Sequence, residues 1–526
     1  MPYLLMFVSL AAGILALLPR VDGEYLAGRY LWAEDGNIFI QQARHLGINA
    51  VFQTYAGYLH LYPRLIAFFA SFFGLKTQAN ILFLGWFLAF WLMAYVILSR
   101  AVDLGVSLIE GCALIALVAL QPSYGEVFFN ITNAQSMLGV ALSVLVLSRK
   151  PEKRTSFQEG AWLFVLCLTG PFAIFIALVL IPHVFLSREV KWDRTFLSIL
   201  ILCALVQAAC LVLSERVGAA GAERSIAVWV RSFGLLAAFG ARSTVHYASV
   251  IFFWMVFVFA LFFPTKDLSE KTRSRRTVAG LCLLVAIVNI FAALYSAKSY
   301  PMAIVPLGGG NRYTWVPYSL ILFSALLASA SLVKARYFLL VAVGTICYCG
   351  FHPVRLLNLQ FDSYANFSRY SEVVIPINPL WPVFPGWHIT WGERVPLPLP
   401  IRSERVAYDD LLGYQVALDR SAEGVHFVAD GDDPIFVLRN EIVCPDAKDI
   451  GVEVTLSRSS AGWVQVFWSA SAAFSESKSI RRYYPAGEIQ AQFAFPNSPE
   501  GVHLRFDPLD RQGEGRVSRF IVYCLP

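Results

Sequence analysis

Long apolar runs separated by short polar loops fill roughly the first two thirds of the chain. A helix that crosses a bilayer needs about 20 mostly apolar residues. Runs that meet or approach this length begin at Leu4, Ala79, Val106, Ala134, Ala161, Phe172, Phe196, Ala248, Val278, Trp315 and Tyr337, which predicts about eleven spans. Gly170-Pro171 divides a short pair of them. The stretch Arg64 to Leu75 is apolar but too short to cross, and predicts a helix lying at the interface. From about Tyr414 the period changes to two. The runs VHFV, IFVL, VEVTL, WVQVFW, IQAQFAF, VHLRF and RFIVY alternate between Gly, Pro, Asp and Ser breaks, the pattern of a small antiparallel β-sandwich. The expected architecture is an α-helical polytopic membrane domain over 1–354, with a long first extracytoplasmic loop over 20–76. A Pro- and Trp-rich connector over 355–413 leads to an extracytoplasmic β-sandwich over 414–526.

Composition agrees with that division. Of 526 residues, 57% are hydrophobic and 15% charged, and mean hydropathy is +0.58. Soluble domains are nearer half apolar and a quarter charged, so disorder, a collagen-like chain, a coiled coil and an ordinary cytosolic enzyme are excluded. Residues 1–354 hold 26 Lys and Arg against 15 Asp and Glu, a net +11. The remainder holds 16 against 21, a net −5, so the overall +6 belongs to membrane loops and does not point to nucleic acid.

Those loops also orient the chain. With the N-terminus inside, cytoplasmic loops carry 15 Lys and Arg in about 41 positions, the opposite loops 11 in about 120. Positive residues favour the cytoplasmic side, so the C-terminal part is expected outside an inner (plasma) membrane. Met1-Pro2-Tyr3 carries no basic residue and no small-x-small site precedes Arg20, so the first run reads as an uncleaved anchor. Of nine cysteines, seven lie in apolar runs. Cys444 and Cys524 sit alone in the exported part, where an oxidising compartment favours a disulfide between them.

The first outer loop is the densest in candidate chemistry. In RYLWAEDGNIFIQQARHLG the adjacent Glu34 and Asp35 precede an amphipathic helix. Asp at a helix start serves either as an N-cap or as a carboxylate held at the membrane surface as a general base. TYAGYLHLYPRLIAFFASF gathers Tyr55, Tyr58, His60, Tyr62 and Arg64: aromatic residues at home in an interface, with a His and an Arg suited to a lipid phosphate. The second outer loop offers Glu126, with an Asn130-Ile-Thr glycan sequon. A later one, KSYPMAIVPLGGGNRYTW, offers Lys298, three glycines and Arg312-Tyr313 at the mouth of a run. No zinc motif, Walker loop or G-x-S-x-G elbow is present.

An initial span, a long outer loop with WAEDG, many further spans and an exported terminal domain together resemble the GT-C superfamily of polytopic glycosyltransferases. RYLWAEDGNIFIQQA with YAGYLHLYPR is similar to bacterial membrane glucosyltransferases of cell-surface polysaccharide, and NRYTWVP resembles their Arg-Tyr region. The resemblance implies a sugar donor on a polyprenyl phosphate and an extracytoplasmic glycan or glycolipid acceptor. It implies Asp35 or Glu34 as the base, and Arg312, His60 and Arg64 as phosphate partners. Tyr58, Glu126, Lys298 and Tyr313 complete the expected binding set. A monophosphate donor demands neither a metal nor another cofactor. HLRFDPLDRQGEGRVSRFIVY resembles a terminal β-module of bacterial polysaccharide enzymes, where it either binds carbohydrate or caps the structure. Two rivals stand beside the transferase: a transporter or flippase of lipid-linked saccharide, and a non-catalytic assembly subunit. A transporter is expected to carry ionisable residues in mid-span and internal repeats, whereas the in-span carboxylate Glu110 lies close to the cytoplasmic end and no repeat is seen.

Overall fold

The computed structural model describes residues 2–526 except 22–30, 124, 187–191, 215–224, 263–268, 297–303, 308–309, 331, 355, 357–358, 360, 362–363, 366–367, 369–372, 380–386, 393–399 and 432. The chain divides into two compact units. One comprises residues 1–26, 42–73 and 80–355; the other, 27–41, 74–79 and 356–526.

The first unit is helical. Its elements are α1 (Pro2–Leu17), α2 (Leu61–Ala70), α3 (Leu75–Asp103, whose first residues fall in the other unit), α4 (Leu108–Leu120), α5 (Ala134–Leu147), α6 (Phe157–Cys167) and α7 (Phe172–Leu186). There follow α8 (Arg194–Leu213), α9 (Ile226–Ala237), α10 (Thr244–Phe262), α11 (Glu270–Ser296), α12 (Arg312–Ser329) and α13 (Val333–Gly350). Every one of the eleven apolar runs is helical, and the short run after Arg64 forms α2. Among the described residues, five segments are long and apolar enough to cross a membrane: Tyr3–Arg20, Leu75–Asp103, Arg194–Leu213, Thr244–Phe262 and Glu270–Ser296. That is fewer than the eleven expected, because several runs form helices of 11 to 15 residues. Helix α9 was not anticipated: Arg231 and Ser232 interrupt its apolar run and leave it 12 residues long.

Helices α5 and α12 are buried on nearly every face, as expected of helices apolar all round. Around them α1 packs on α4, α11 on α12, α10 on α13 and α7 on α8. Polar side chains tie these helices through backbone carbonyls. Ser324 Oγ donates to Ala279 O at 2.6 Å, and Tyr318 OH to Leu236 O at 2.7 Å. Local signals set the helix starts. Ser107 and Glu110 form a reciprocal capping box at α4, and Ser156 caps α6 by accepting from Glu159 N at 3.1 Å. Glu110 also pairs with Arg336. This in-span carboxylate is thus engaged in starting a helix and in pairing with a neighbouring one.

The second unit contains a sandwich of two antiparallel sheets. Its strands are β5 (Arg402–Arg405), β6 (Leu411–Tyr414), β7 (Val416–Ser421), β8 (Gly424–Ala429), β9 (Ile435–Leu438), β10 (Asp449–Arg458), β11 (Gly462–Ser469), β12 (Ser479–Tyr484), β13 (Gly487–Pro496), β14 (His503–Asp507) and β15 (Gly513–Leu525). Ahead of them in the chain lie two hairpins, β1 (Thr54–Tyr55) with β2 (Tyr58–Leu59) in the first unit, and β3 (Val373–Pro376) with β4 (His388–Trp391) here. One sheet runs β13-β10-β15-β8-β7 with β5 also on β15, and the other runs β12-β11-β14-β9-β6. All seven alternating runs are strands. Their inward positions, among them Val452, Val454, Val464, Val466, Phe493, Phe506 and Phe520, make one core. Cys444 and Cys524 lie in that core and are joined by a disulfide, with Cα atoms 5.5 Å apart.

Candidate functional site

The acidic pair lies in the second unit, on a short scaffold built from distant parts of the chain. Asp35–Ile40 is a π-helical turn that continues into the helix Gln41–Leu46. Single π turns of this kind recur at functional sites. Glu34 occupies the N-cap position with no side-chain cap bond. Asp35 sits inside the first turn, where the helix N-terminus favours a negative charge. The preceding strand-like residues are held by β3–β4. Ala33 N donates to Asn378 O at 2.5 Å, Asn378 N to Leu31 O at 3.2 Å, and Asn37 Nδ2 to His388 O at 2.8 Å. A Cβ on Gly36 would stand 2.8 Å from Ile377 Cδ1, so the turn approaches the hairpin as closely as a glycine permits. Glu34 and Asp35 are 5% and 3% exposed. Two buried carboxylates on a clamped backbone differ from the solvated face that an amphipathic helix start would present.

The second cluster belongs to the helical unit. The turn between β1 and β2 has Ala56 at φ 53° and Gly57 at φ 88°, the two positive values of a type I′ hairpin. This hairpin is fastened to the turn between α6 and α7. Leu59 N donates to Gln207 Oε1 at 2.9 Å, while Gln207 Nε2 donates to Leu59 O at 3.2 Å and Gly170 O at 3.0 Å. Leu61 N donates to Leu168 O at 3.1 Å. Gln207 escaped the sequence reading. Its signal was there all the same: a lone amide within the run LILCALVQAACLVL, where an unsatisfied polar group is costly.

His60 follows the hairpin and is buried, its ring stacked on Tyr58 at 4.5 Å with an interplanar angle of 22°. Burial, helped by the Arg64 and Arg312 charges, holds its imidazole down at about 3 from the usual 6.5. The folded state takes up fewer protons than the unfolded chain below pH 6.5, so this contribution to stability is whole above 6.5. It is lost as pH falls toward 3, by about 1.4 kcal/mol per unit. His60→Gln is expected to remove that part of the acid slope. Thermal melts of both proteins near neutral pH and near pH 5 measure it, and parallel slopes would overturn the assignment.

Arg64 is also buried. Its Nη1 donates to Gln42 Oε1 at 2.8 Å and to Ala50 O at 2.9 Å, so it clamps the segment before the hairpin. Arg20 is likewise consumed, donating to the carbonyls of Ala119, Gln121, Ser123 and His352 at 2.6 to 3.0 Å. These bonds shape the loop that carries Glu126. In that loop Asn130 Nδ2 donates to Glu126 O at 2.8 Å and Phe128 O at 2.9 Å. The sequon amide is thereby buried and engaged rather than presented for glycosylation.

Arg312 differs from the other two arginines. It opens α12, pairs with Glu126 at 2.8 Å, and leaves 35% of its side chain exposed against 18% for Glu126. Its guanidinium lies 5.2 Å from the Tyr313 ring centre. A partly exposed ion pair of this kind contributes about 1 kcal/mol or less, and an incoming phosphate accepting two parallel N–H bonds competes well for the guanidinium. The structure thus brings Arg312, Glu126 and Tyr313 together, and stacks Tyr58 on His60. Glu34 and Asp35 fall in the other unit, and Lys298 lies outside the described residues. Among the described residues no group of His, Cys, Asp or Glu is placed to hold a metal.

No protein-family model and no curated protein matches the chain. Solved structures similar to part of it include small carbohydrate-binding modules. The C-terminal CBM6 of LamC from Zobellia galactanivorans is 8% identical over 23% of this chain and 99% of its own, with a TM-score of 0.18. A family 35 carbohydrate binding module from Clostridium thermocellum is 7% identical over 23% and 97%, at 0.20. The module CBM6cm-2 from Cellvibrio mixtus lichenase 5A, solved with cellotriose, is 10% identical over 24% and 98%, at 0.19.

Proposed function

We propose that the protein is an integral membrane glycosyltransferase of GT-C type. In this reading all eleven apolar helices sit in the inner membrane with the N-terminus cytoplasmic and the sandwich outside. The observation that carries it is the buried Glu34-Asp35 pair on a clamped π turn, just beyond the first apolar helix. Desolvated, positioned carboxylates are what a general base requires. The donor is a sugar on a polyprenyl phosphate, and the acceptor is an extracytoplasmic glycan or glycolipid. An acceptor hydroxyl oxygen bonds to the anomeric carbon while the bond from that carbon to the phosphate oxygen breaks. The hydroxyl proton passes to Asp35 or Glu34. The electron pair leaves with the polyprenyl phosphate, whose charge Arg312 receives from its exposed side. Within the helical unit His60 packs on Tyr58, and Arg64 holds the segment before the hairpin.

Purified protein in proteoliposomes, given a panel of radiolabelled polyprenyl-phosphate hexoses and cell-surface glycan, should move label from lipid to glycan. Release of no polyprenyl phosphate from any donor would overturn the reading. Arg312→Ala should raise KM for the donor by about 10- to 100-fold, the value of a charge-assisted contact, with a smaller change in kcat. Glu126→Gln, which frees the guanidinium, should lower that KM. Equal KM values for all three proteins would remove Arg312 from the donor site.

A further inference from the structure

The two outer faces of the sandwich are unlike. On the β10–β15 sheet, Ile521, Tyr523 and Leu525 point outward yet form a buried apolar cluster, and Glu453 beside them is 5% exposed. The outer face of the β12-β11-β14-β9-β6 sheet is partly exposed at Trp463, Gln465, Tyr483 and Arg505, while Phe467 and Asp507 on it are buried. Strand alternation places Val464 and Val466 in the core, which turns Trp463, Gln465 and Phe467 outward on β11. Register then sets Tyr483 opposite Trp463 and Asp507 opposite Gln465.

The side chains on this face form an aromatic step beside a hydrogen-bonding strip. Trp463 and Tyr483 meet edge to face at 5.6 Å, with the Arg481 guanidinium 5.2 Å from the Trp463 ring. Next to them Gln465 Nε2 donates to Glu476 Oε2 and Ser479 Oγ, both at 2.9 Å. Beyond these, Arg505 lies over Phe467 at 4.4 Å and reaches Asp507 at 2.7 Å and Asp433 at 3.0 Å. A ring held upright by its neighbours offers an apolar plate to the C–H face of a pyranose. Carboxylates and a planar guanidinium in fixed positions suit pairs of adjacent hydroxyls. The local charge nearly cancels, Arg481 and Arg505 standing against Asp433, Glu476 and Asp507, so a polyanion gains nothing here.

We infer that this partly exposed sheet face is a binding surface for a neutral, hydroxyl-rich glycan chain, with Trp463 as its stacking platform and Gln465 and Arg505, the latter held by buried Asp507, as its hydroxyl partners. The inference rests on the transferase reading only for the source of that chain, the acceptor being retained beside the enzyme that extends it. Full-length protein in nanodiscs, titrated calorimetrically without donor, provides the test. Maltohexaose, cellohexaose and laminarihexaose serve as neutral probes and polygalacturonate as the acidic one. At least one neutral hexasaccharide should bind and polygalacturonate should not. Trp463→Ala and Gln465→Ala should each weaken binding by tenfold or more, and Trp463→Phe should recover most of the loss. Binding of no neutral probe, or wild-type binding by both alanine variants, would overturn the inference. Polyprenyl-phosphate release from the same preparations separates the two readings. Glycan binding without release with any donor defeats the transferase and leaves this surface standing; release without binding does the reverse.

Discussion

Replacing Asp35 by Asn, or Glu34 by Gln, is expected to lower sugar transfer by about 10²- to 10⁴-fold in whichever variant removes the base. The other variant should lose less. Both substitutions keep side-chain shape and remove only charge. Because the pair is 3% and 5% exposed, its environment is set by the clamp from β3–β4 rather than by solvent. The amide variants should therefore fold and insert like the parent, which size-exclusion profiles and melts will check. If neither variant changes turnover, the base lies elsewhere. A loss in KM alone, with kcat preserved, would make these carboxylates binding groups instead.

Breaking the Cys444–Cys524 disulfide is expected to be the largest single loss of stability in the β-sandwich. The bridge spans 80 residues, and closing a loop of that length restricts the unfolded chain by about 4 kcal/mol. For a domain of this size that corresponds to roughly 15–30 °C in Tm. Both sulfurs lie in the core beside Ile450, which pairs with Cys524 across β10 and β15. A double Cys444→Ala, Cys524→Ala variant should unfold earlier by calorimetry, and reductant should shift the parent but not the variant. A parent melt indifferent to reductant would show that the bridge adds no stability.

How much could be read from the sequence depended on how local the physics was. An apolar helix satisfies its own backbone, so each of the eleven runs folds where its hydropathy says. Alternation marked the seven core strands for a similar reason: the side-chain period of two is visible within one strand. β7 and β12 were missed because VALDRS and SIRRYY carry charge on their inner or exposed positions. The Cys444–Cys524 pairing followed from there being two cysteines outside the apolar runs.

The candidate site was legible as residue types and not as roles. His60, Arg64 and Arg312 read alike as bases near an interface. Burial lowers the pKa of the first, hydrogen bonds to Gln42 and Ala50 turn the second into a clamp, and the third keeps 35% of its side chain exposed. Those differences depend on which chain segments close over each side chain, and no window of sequence contains them.

The sequence by itself determined the two-part character of this protein, its apolar helices, its alternating strands and the residue types available for chemistry. Each is decided by hydrophobic period and composition within ten or twenty neighbours. Only the tertiary structure decided that Leu31, Ala33 and Asn37 are held by Asn378 and His388. It also decided which arginine keeps part of its side chain exposed, and that Trp463 stays partly exposed while Tyr523 is buried. Burial and hydrogen-bond satisfaction are properties of segments brought together from hundreds of residues apart, and they set whether an ionisable group is charged, clamped or free to meet a ligand.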